Sequence, residues 1–220
     1  MKKSIVLFAV LLSCIVFTSC RKHFIKGEGH IVTETRYLEE IDAVELNGSE
    51  NLEIISATEN KVEITGYHNL LPVYESKVRK GKLILQIDDE YINVKNNNIR
   101  VRLYTTGINR IDINGSGNVR AGEHIGIRMK ATVNGSSTIN FGENHFTDLA
   151  VTINGSGKIN AKEAVSETVY ADISGSGDID VTVTKYLNVT ISGSGTVDYW
   201  GNPTEGVDTN ISGSGKVRKQ

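Results

Sequence analysis

The sequence has almost no cysteine and little proline: its 220 residues include two Cys and two Pro. Both cysteines, Cys14 and Cys20, lie within the first twenty residues. The rest of the chain therefore has no thiol for a disulfide, a zinc site or a nucleophile. Burial and hydrogen bonding alone must stabilise its fold.

An excess of charge of either sign is also missing, since 24 Lys and Arg residues face 26 Asp and Glu residues. A protein that binds nucleic acid usually presents a basic surface, so the composition predicts no nucleic-acid partner. Glycine, by contrast, is abundant, with 22 residues. It does not recur at every third position, which excludes collagen, and it interrupts any heptad pattern, which excludes a coiled coil.

The first twenty residues have the pattern of a secretory signal. Lys2 and Lys3 precede an apolar run over residues 5–17, which as a helix would span ~20 Å and is too short for a hydrocarbon core of ~30 Å. The end of this run, Phe17-Thr18-Ser19-Cys20, resembles the lipobox of bacterial lipoproteins, in which the cysteine is acylated. The alternative is a plain signal peptide cut near Ser19, with Cys20 unmodified.

We therefore predict a lipoprotein signal peptide at residues 1–19, lipidation at Cys20 and a lipid-anchored tether at 20–25. The residue after Cys20 is Arg21 rather than Asp, which by resemblance to known sorting signals disfavours retention in the inner membrane. The expected location is the outer membrane of a Gram-negative cell, facing the periplasm or the surface.

An internal repeat dominates the second half of the chain. The motif Asn-Gly-Ser-Gly begins at Asn114 and recurs with changes, at intervals of 20, 20, 20, 18 and 20 residues; its later copies begin at Asn134, Asn154, Ser174, Ser192 and Ser212. An early copy occupies residues 47–50. Flexible Gly-Ser linkers do not keep such a register.

Aligning the repeats places apolar residues in columns. One column contains Ile113, Val133, Ile153, Ile173, Ile191 and Ile211, and a second contains Val119, Ile139, Ile159, Ile179, Val197 and Val217. Within each repeat apolar and polar residues alternate, as in a strand with one buried face. Both facts predict an all-β fold, a single-stranded parallel β-helix (a solenoid) with rungs of about 20 residues, right-handed because parallel crossovers almost always are.

The Gly-Ser-Gly segments are expected at the corners of the coil, where glycine adopts positive φ. Their serines form a further column, and we expect it to build a ladder of hydroxyl groups; its members are Ser116, Ser136, Ser156, Ser176, Ser194 and Ser214. A row of nucleophiles is the alternative, but no His or acid accompanies each serine.

The N-terminal half is less regular. Alternation predicts strands at residues 30–37, 43–46, 52–56, 61–65, 82–88 and 99–104. We expect irregular rungs over residues 26–107, with a possible short helix within 66–81, that continue directly into the repeats of 108–220 as one domain. Residues 161–168 contain good helix formers, but the repeat register favours a turn followed by a strand.

Three stretches resemble the head GIN domain family of auto-transporter adhesins. They are Lys26-Gly27-Glu28-Gly29, the run from Ile41 to Ser49, and the Gly-Ser-Gly-x-Ile/Val repeats. The resemblance covers roughly residues 26–218. It implies a β-helical fold on a secreted or lipid-anchored bacterial protein, with no catalytic residues and no cofactor.

Acidic residues offer one candidate catalytic site. Asp180 and Asp198 share a column in successive rungs, so their carboxylates should lie ~5 Å apart, as in a retaining glycosidase. With nearby Asp178 they would alternatively hold Ca²⁺. The default interpretation is a solvated acidic face with mild charge repulsion, because no aromatic sugar platform recurs beside it.

Two smaller clusters complete the candidates. His124 and His145 should lie near each other on adjacent corners, but two imidazoles without a third ligand make a poor zinc site. Tyr199 and Trp200 form an aromatic pair, interpreted as packing under the last loop or, alternatively, as a ligand-binding edge.

The function that these observations favour is a non-catalytic envelope lipoprotein, a binding or scaffold module that uses the faces of the solenoid. Its partners would be the membrane, through the lipid anchor, and a glycan or an envelope protein. The alternative is a carbohydrate-active β-helix enzyme, a glycosidase or lyase, with its site near Asp180 and Asp198.

Overall fold

The computed structural model describes residues 23–220. Its strands are β1 (His23–Lys26), β2 (Ile31–Tyr37), β3 (Ala43–Gly48), β4 (Asn51–Ser56), β5 (Lys61–Tyr67), β6 (Tyr74–Arg79), β7 (Lys82–Ile87), β8 (Tyr91–Lys95), β9 (Arg100–Thr105) and β10 (Arg110–Gly115). The repeats contribute β11 (Asn118–Ala121), β12 (Arg128–Gly135), β13 (Thr138–Phe141), β14 (Asn144–Gly155), β15 (Lys158–Gly175), β16 (Asp178–Gly193), β17 (Thr196–Trp200), β18 (Gly206–Gly213) and β19 (Lys216–Lys219). Within this range the only helix is a 3₁₀ turn at Leu71–Val73. No helix there has the length and apolar character needed to cross a membrane.

The repeats form a parallel β-solenoid of about six turns, as predicted. Each turn places a strand beside the strand about 20 residues earlier. The first predicted column is observed residue by residue, from Ile113 beside Val133 through to Ile191 beside Ile211. Ile153, Ile173 and Ile191 are at most 1% exposed, so the stacked aliphatic side chains fill the interior of the coil.

Gly-Ser segments make the corners for a steric reason. Gly175 has φ of 131°, and a Cβ atom there would lie 2.3 Å from the carbonyl oxygen of Gly155 in the preceding turn. The amide of Ser176 donates a hydrogen bond of 2.9 Å to that same oxygen. The corners therefore stack so closely that a side chain on this glycine would displace the backbone beneath it.

The turn with an 18-residue interval is accommodated at a different corner. The β15–β16 register shifts between Ala161 and Val165 and again between Ser166 and Thr168. Both flanking columns stay in register, with Ile159 beside Ile179 and Val169 beside Leu187. Residues 161–168 belong to β15, so the helix that their composition allowed does not form.

The N-terminal half forms irregular turns whose strands do not stack in chain order. β3 and β4 do join the solenoid, because they pair in parallel with β10 and β11. Their opposite edges, however, pair with β7 and β9, which come later in the sequence. The turn built from β7 and β9 therefore lies outside the turn built from β3 and β4, at the N-terminal end of the solenoid.

Antiparallel strands then close this end. β5 pairs with β9, β2 pairs with β5, and β6 pairs with β7. They satisfy backbone groups that an open parallel turn would leave unpaired. We call β2, β5 and β6 the N-terminal cap. The six predicted strands are found within about two residues, whereas β1, β6 and β8 were not predicted.

β1 and β8 form a separate two-stranded parallel sheet. Residues 23–25, which we assigned to the tether, thus lie in a strand, while Cys20 and the predicted signal peptide fall outside the described residues. At the other end of the molecule, β18 pairs with β16 and β19 pairs with β17. Within residues 23–220 no further strand covers this last turn, and Ile211 is 41% exposed.

Candidate functional site

Two columns of outward-facing residues run along one side of the solenoid, which we call the polar face. From the N-terminal end, the first column contains Arg100, Asn51, Asn118, Thr138, Lys158, Asp178, Thr196 and Lys216. The second contains Arg102, Glu53, Arg120, Asn140, Asn160, Asp180, Asp198 and Arg218. Buried aliphatic residues alternate with them along each strand, which fixes both columns toward solvent.

Asp180 and Asp198 are neighbours on this face, as predicted. Each is paired with a cation from an adjacent turn. Lys158 Nζ lies 2.7 Å from Asp180 Oδ2, and Arg218 donates two hydrogen bonds of 2.7 Å to the two oxygens of Asp198. Arg218 lies in register with Asp198, whereas Lys158 reaches Asp180 diagonally from the neighbouring column, so the two acids carry ion pairs instead of the mild repulsion that was expected.

The ion pairs also change the acid–base chemistry of this cluster. Hydrogen bonding from Arg218 holds the pKa of Asp198 below its usual value, and hydrogen bonding to Asp180 raises the pKa of Lys158. A retaining glycosidase needs one carboxyl group that is protonated when the reaction starts. Arg218 favours the ionised form of Asp198, and each of the two acids is held by a cation of an adjacent turn, so the arrangement is that of structural ion pairs.

The second candidate cluster is the pair of histidines. In the part of the chain that the structure describes, no three His, Cys, Asp or Glu side chains are grouped to hold a metal ion. His124 lines one surface depression together with Glu143, and His145 lines a different one together with Glu167. Among residues 23–220 the two histidines thus have no third ligand with which to hold a metal ion.

Tyr199 and Trp200, the aromatic pair near the last loop, make different contacts. Tyr199 is partly buried and packs against the core, which confirms the packing interpretation for this residue. Trp200 is half-buried, and Lys162 Nζ lies 4.3 Å from the centre of its ring. Its exposed ring surface is thus occupied by a neighbouring cation.

A ladder of side chains does climb the corners, but it is made by asparagine rather than serine. Asn114 donates its amide to Asn47, Asn134 to Asn114 and Asn154 to Asn134, at 2.7–2.8 Å. Serine takes over this column from Ser174 onward. The predicted hydroxyl ladder is absent from the hydrogen bonds of residues 23–220. A primary amide both donates and accepts, so a stack of identical amides hydrogen-bonds without any other partner.

The N-terminal end of the polar face contains a groove of about 520 Å³ that the sequence did not predict. Three arginines line it, together with asparagine side chains from three successive turns; these residues are Arg100, Arg102, Arg120, Asn51, Asn118 and Asn140. We call it the arginine groove. Its only acidic lining residue is Glu53, which accepts a hydrogen bond of 3.2 Å from Arg102 Nε.

Comparison with known proteins identifies the family. The model of the family described as "Putative auto-transporter adhesin, head GIN domain" matches residues 40–203. The chain belongs to the head GIN domain family. No protein of curated function matches its sequence significantly.

Solved structures share the head GIN fold at low sequence identity. A "putative adhesin" from Bacteroides fragilis superposes with a TM-score of 0.70 and 19% identity, over 89% of this chain and 100% of the other. A "putative lipid binding protein" from Parabacteroides distasonis superposes with a TM-score of 0.59 and 17% identity, over 90% of this chain and 100% of the other. A "putative adhesin" from the same species superposes with a TM-score of 0.54 and 16% identity, again over 90% of this chain and 100% of the other. At these identities the likeness establishes the fold.

Membership in the head GIN domain family supports a non-catalytic, adhesin-like role at the cell envelope or surface. The acidic cluster agrees with that role, since Asp180 and Asp198 are both held in ion pairs. The features that sequence reasoning missed are the amide ladder and the arginine groove. The groove was hidden because Arg100 and Arg120 are 20 residues apart but lie two turns apart in the fold, separated by the turn that contains Asn51.

Proposed function

We propose that this protein is an adhesin-like binding module, anchored to the outer membrane through lipid on Cys20, that captures a glycan or an envelope protein on its polar face. The observation that carries the proposal is the arginine groove, a solvent-open depression lined by amide and guanidinium groups on a rigid, fully paired sheet. Binding sites on such a frame lose little conformational freedom when the ligand arrives.

The chemistry of the lining supports a polar ligand. Asn51, Asn118 and Asn140 present amide groups that donate and accept hydrogen bonds, which suits a surface rich in hydroxyl or peptide groups. The groove is broad rather than closed, and a segment of a longer chain fits it better than a small buried substrate.

A binding assay tests this part of the proposal. The mature protein, purified in detergent, is applied to a panel of envelope glycans and envelope proteins. We expect saturable binding to at least one member that Asn118→Ala together with Asn140→Ala weakens about tenfold. The control is Lys130→Ala, which removes an exposed side chain from a strand outside the polar face. Binding that the paired variant leaves intact, or no binding to the whole panel, contradicts the proposal.

The anchor is supported by the sequence of the signal and by where the fold begins. β1 starts at His23, three residues after Cys20, so the chain between them spans at most ~10 Å. The β1–β8 sheet would then lie next to the membrane. β9, which carries Arg100, begins five residues after β8 ends, so the arginine groove would lie at the anchored end.

Mass spectrometry tests the anchor. The N-terminal peptide of the protein from the membrane fraction should begin at Cys20 and carry the added mass of the acyl groups. Cys20→Ser should move the protein out of the membrane fraction without changing its fold. A mature chain that starts with unmodified Cys20, or with Arg21, refutes lipidation while leaving the binding proposal open.

A further inference from the structure

The arginine groove holds more positive charge than its own acid neutralises. Its lining contains three arginines and one glutamate. Arg102 is engaged by Glu53, whereas Arg100 and Arg120 are exposed and, among residues 23–220, lie beyond ion-pair distance of every carboxylate. Two guanidinium groups in the groove are therefore available to an external anion.

The strand register sets their spacing. Arg102 and Arg120 occupy one column on either side of Glu53, so their Cα atoms are separated by two strand spacings, or ~10 Å. Arg100 lies on the same strand as Arg102 and faces the same way, ~7 Å along the strand. The cationic groups are thus distributed over a patch rather than focused on one point, which matches a ligand with several separated anionic groups.

We propose that the arginine groove binds a carbohydrate chain that carries carboxylate or phosphate groups. This inference rests on the proposed function and names the ligand class for the same site. The guanidinium groups of Arg100 and Arg120 bind the anions in bidentate fashion, since their fork of donors matches two oxygens. Asn51, Asn118 and Asn140 bind the hydroxyl groups of the sugars between the anions.

The residues that line the groove also argue against nucleic acid, the other common polyanion, as the ligand. Proteins that bind single-stranded nucleic acid stack bases on aromatic side chains. The residues that line the arginine groove include no aromatic side chain, so it offers charge and hydrogen bonds without a stacking platform. An anionic sugar chain can bind both kinds of group in the lining, its anions to the guanidinium groups and its hydroxyl groups to the amides.

Three probes separate the ligand sources: polygalacturonate as a soluble carboxylate polymer, vesicles containing lipopolysaccharide as a membrane-bound phosphorylated glycan, and dextran as a neutral polymer. Binding of the Cys20→Ser protein, which has no acyl chains that would insert into a bilayer, is measured with each probe at low and high salt. We expect binding to polygalacturonate or to the vesicles that weakens as salt rises, with dextran at least tenfold weaker.

The variant that tests the site is Arg100→Gln combined with Arg120→Gln, which should weaken binding of the anionic probe tenfold or more. Arg128→Gln combined with Lys130→Gln removes the same net charge from a strand outside the polar face and should leave binding within about twofold of the wild type. Equal loss in the two double variants would mean that only net charge matters, which overturns the assigned site.

Failure of this inference is distinguishable from failure of the proposed function. If the protein binds dextran or an envelope protein and the Asn118→Ala, Asn140→Ala variant weakens it, the binding role stands and the anionic ligand is wrong. If neither anionic probe binds, the inference is contradicted whatever the rest of the panel shows. Preference for the vesicles over polygalacturonate would identify the ligand as a phosphorylated glycan at the membrane.

Discussion

The two ends of the solenoid are built differently. At the N-terminal end, β5 and β6 pair antiparallel with the outermost strands β9 and β7, β2 pairs with β5, and this N-terminal cap covers the core. At the C-terminal end the last turn, β18 and β19, has its outer edge uncovered among the described residues. The same apolar column is 1% exposed at Ile173 and 41% exposed at Ile211.

The difference shows where stability resides in a stacked fold. A turn in the middle gains burial and hydrogen bonds from two neighbours, whereas the last turn gains them from one. Interior turns should therefore tolerate substitutions poorly, and the last turn should tolerate the equivalent changes well. The charged residues of β19, Lys216, Arg218 and Lys219, also discourage another strand from pairing with the open edge.

The largest effect is expected from a corner glycine. Gly175→Ala forces a Cβ to within 2.3 Å of the Gly155 oxygen at φ of 131° and should lower the free energy of unfolding by about 4 kcal/mol. The matched control is Gly206→Ala in the last turn, where φ is 121° but no atom lies within 4 Å of the new Cβ. It should cost about 1 kcal/mol. Urea unfolding measures both, and equal losses would contradict the steric account of the corners.

The next largest effect on the free energy of unfolding is expected in the core column that contains Ile173 and Ile211. Ile173→Ala leaves a cavity in the middle of the stack and should cost about 3 kcal/mol. Ile211→Ala, in the exposed last turn, should cost about 1 kcal/mol because much of its side chain already contacts water. The same unfolding experiment measures both. A cost at Ile211 as large as at Ile173 would show that something covers the open end in solution.

The amide ladder connects the N-terminal region to the repeats, from Asn47 on β3 to Asn154 on β14. Asn134→Ala removes one rung and breaks two hydrogen bonds, and should cost about 1 kcal/mol. Ser174→Ala, in the same column beyond the ladder, serves as the control and should change stability by less than ~0.5 kcal/mol. The ladder would be irrelevant to stability if the two variants unfolded at the same urea concentration.

The smallest effect concerns the ion pair of the last turn. Arg218→Gln should cost less than ~1 kcal/mol at neutral pH, because the pair is partly exposed and screened. The contribution of the ion pair to the free energy of unfolding should depend on pH. Arg218 lowers the pKa of Asp198 in the folded state, so the stabilisation is present above the unfolded pKa and is lost as pH falls below about 4.

An NMR titration provides the direct measurement, in which the pKa of Asp198 should rise toward its ordinary value in Arg218→Gln. The stability difference between the variant and the wild type should shrink on acidification. A difference that stayed constant down to pH 2 would exclude the ion pair as its cause.

The sequence was sufficient for the repeats because their contacts recur at a visible period. Ile153 lies beside Ile173 in space for the same reason that the two align in the sequence. The N-terminal half has one such marker, the early copy of the motif at residues 47–50, which lies beside the copy that begins at Asn114. The other strands have none: β7 pairs with the opposite edge of β3, and β5 pairs antiparallel with β9, and nothing in the local alternation of these strands specifies those partners.

The candidate site was less predictable still, because side-chain chemistry depends on which turns become neighbours. The column of Asp180 and Asp198 was anticipated, but the cations that neutralise them change the character of the cluster. Arg100 and Arg120 come to flank Asn51 and Glu53 only because β4 inserts between β9 and β11. The position of β4 between β9 and β11 departs from chain order, and the apolar alternation of the sequence does not reveal it.

The shortened turn between residues 174 and 192 has a consequence for how such proteins diversify. Its missing residues fall at the corner between Val181 and Tyr186, opposite residues 161–168 of the preceding turn, while the columns on both sides keep their partners. Length can therefore vary at that corner without disturbing the interior. Insertions at the same place would give descendants of this chain new recognition loops on an unchanged scaffold, so that ligand preference can evolve separately from folding.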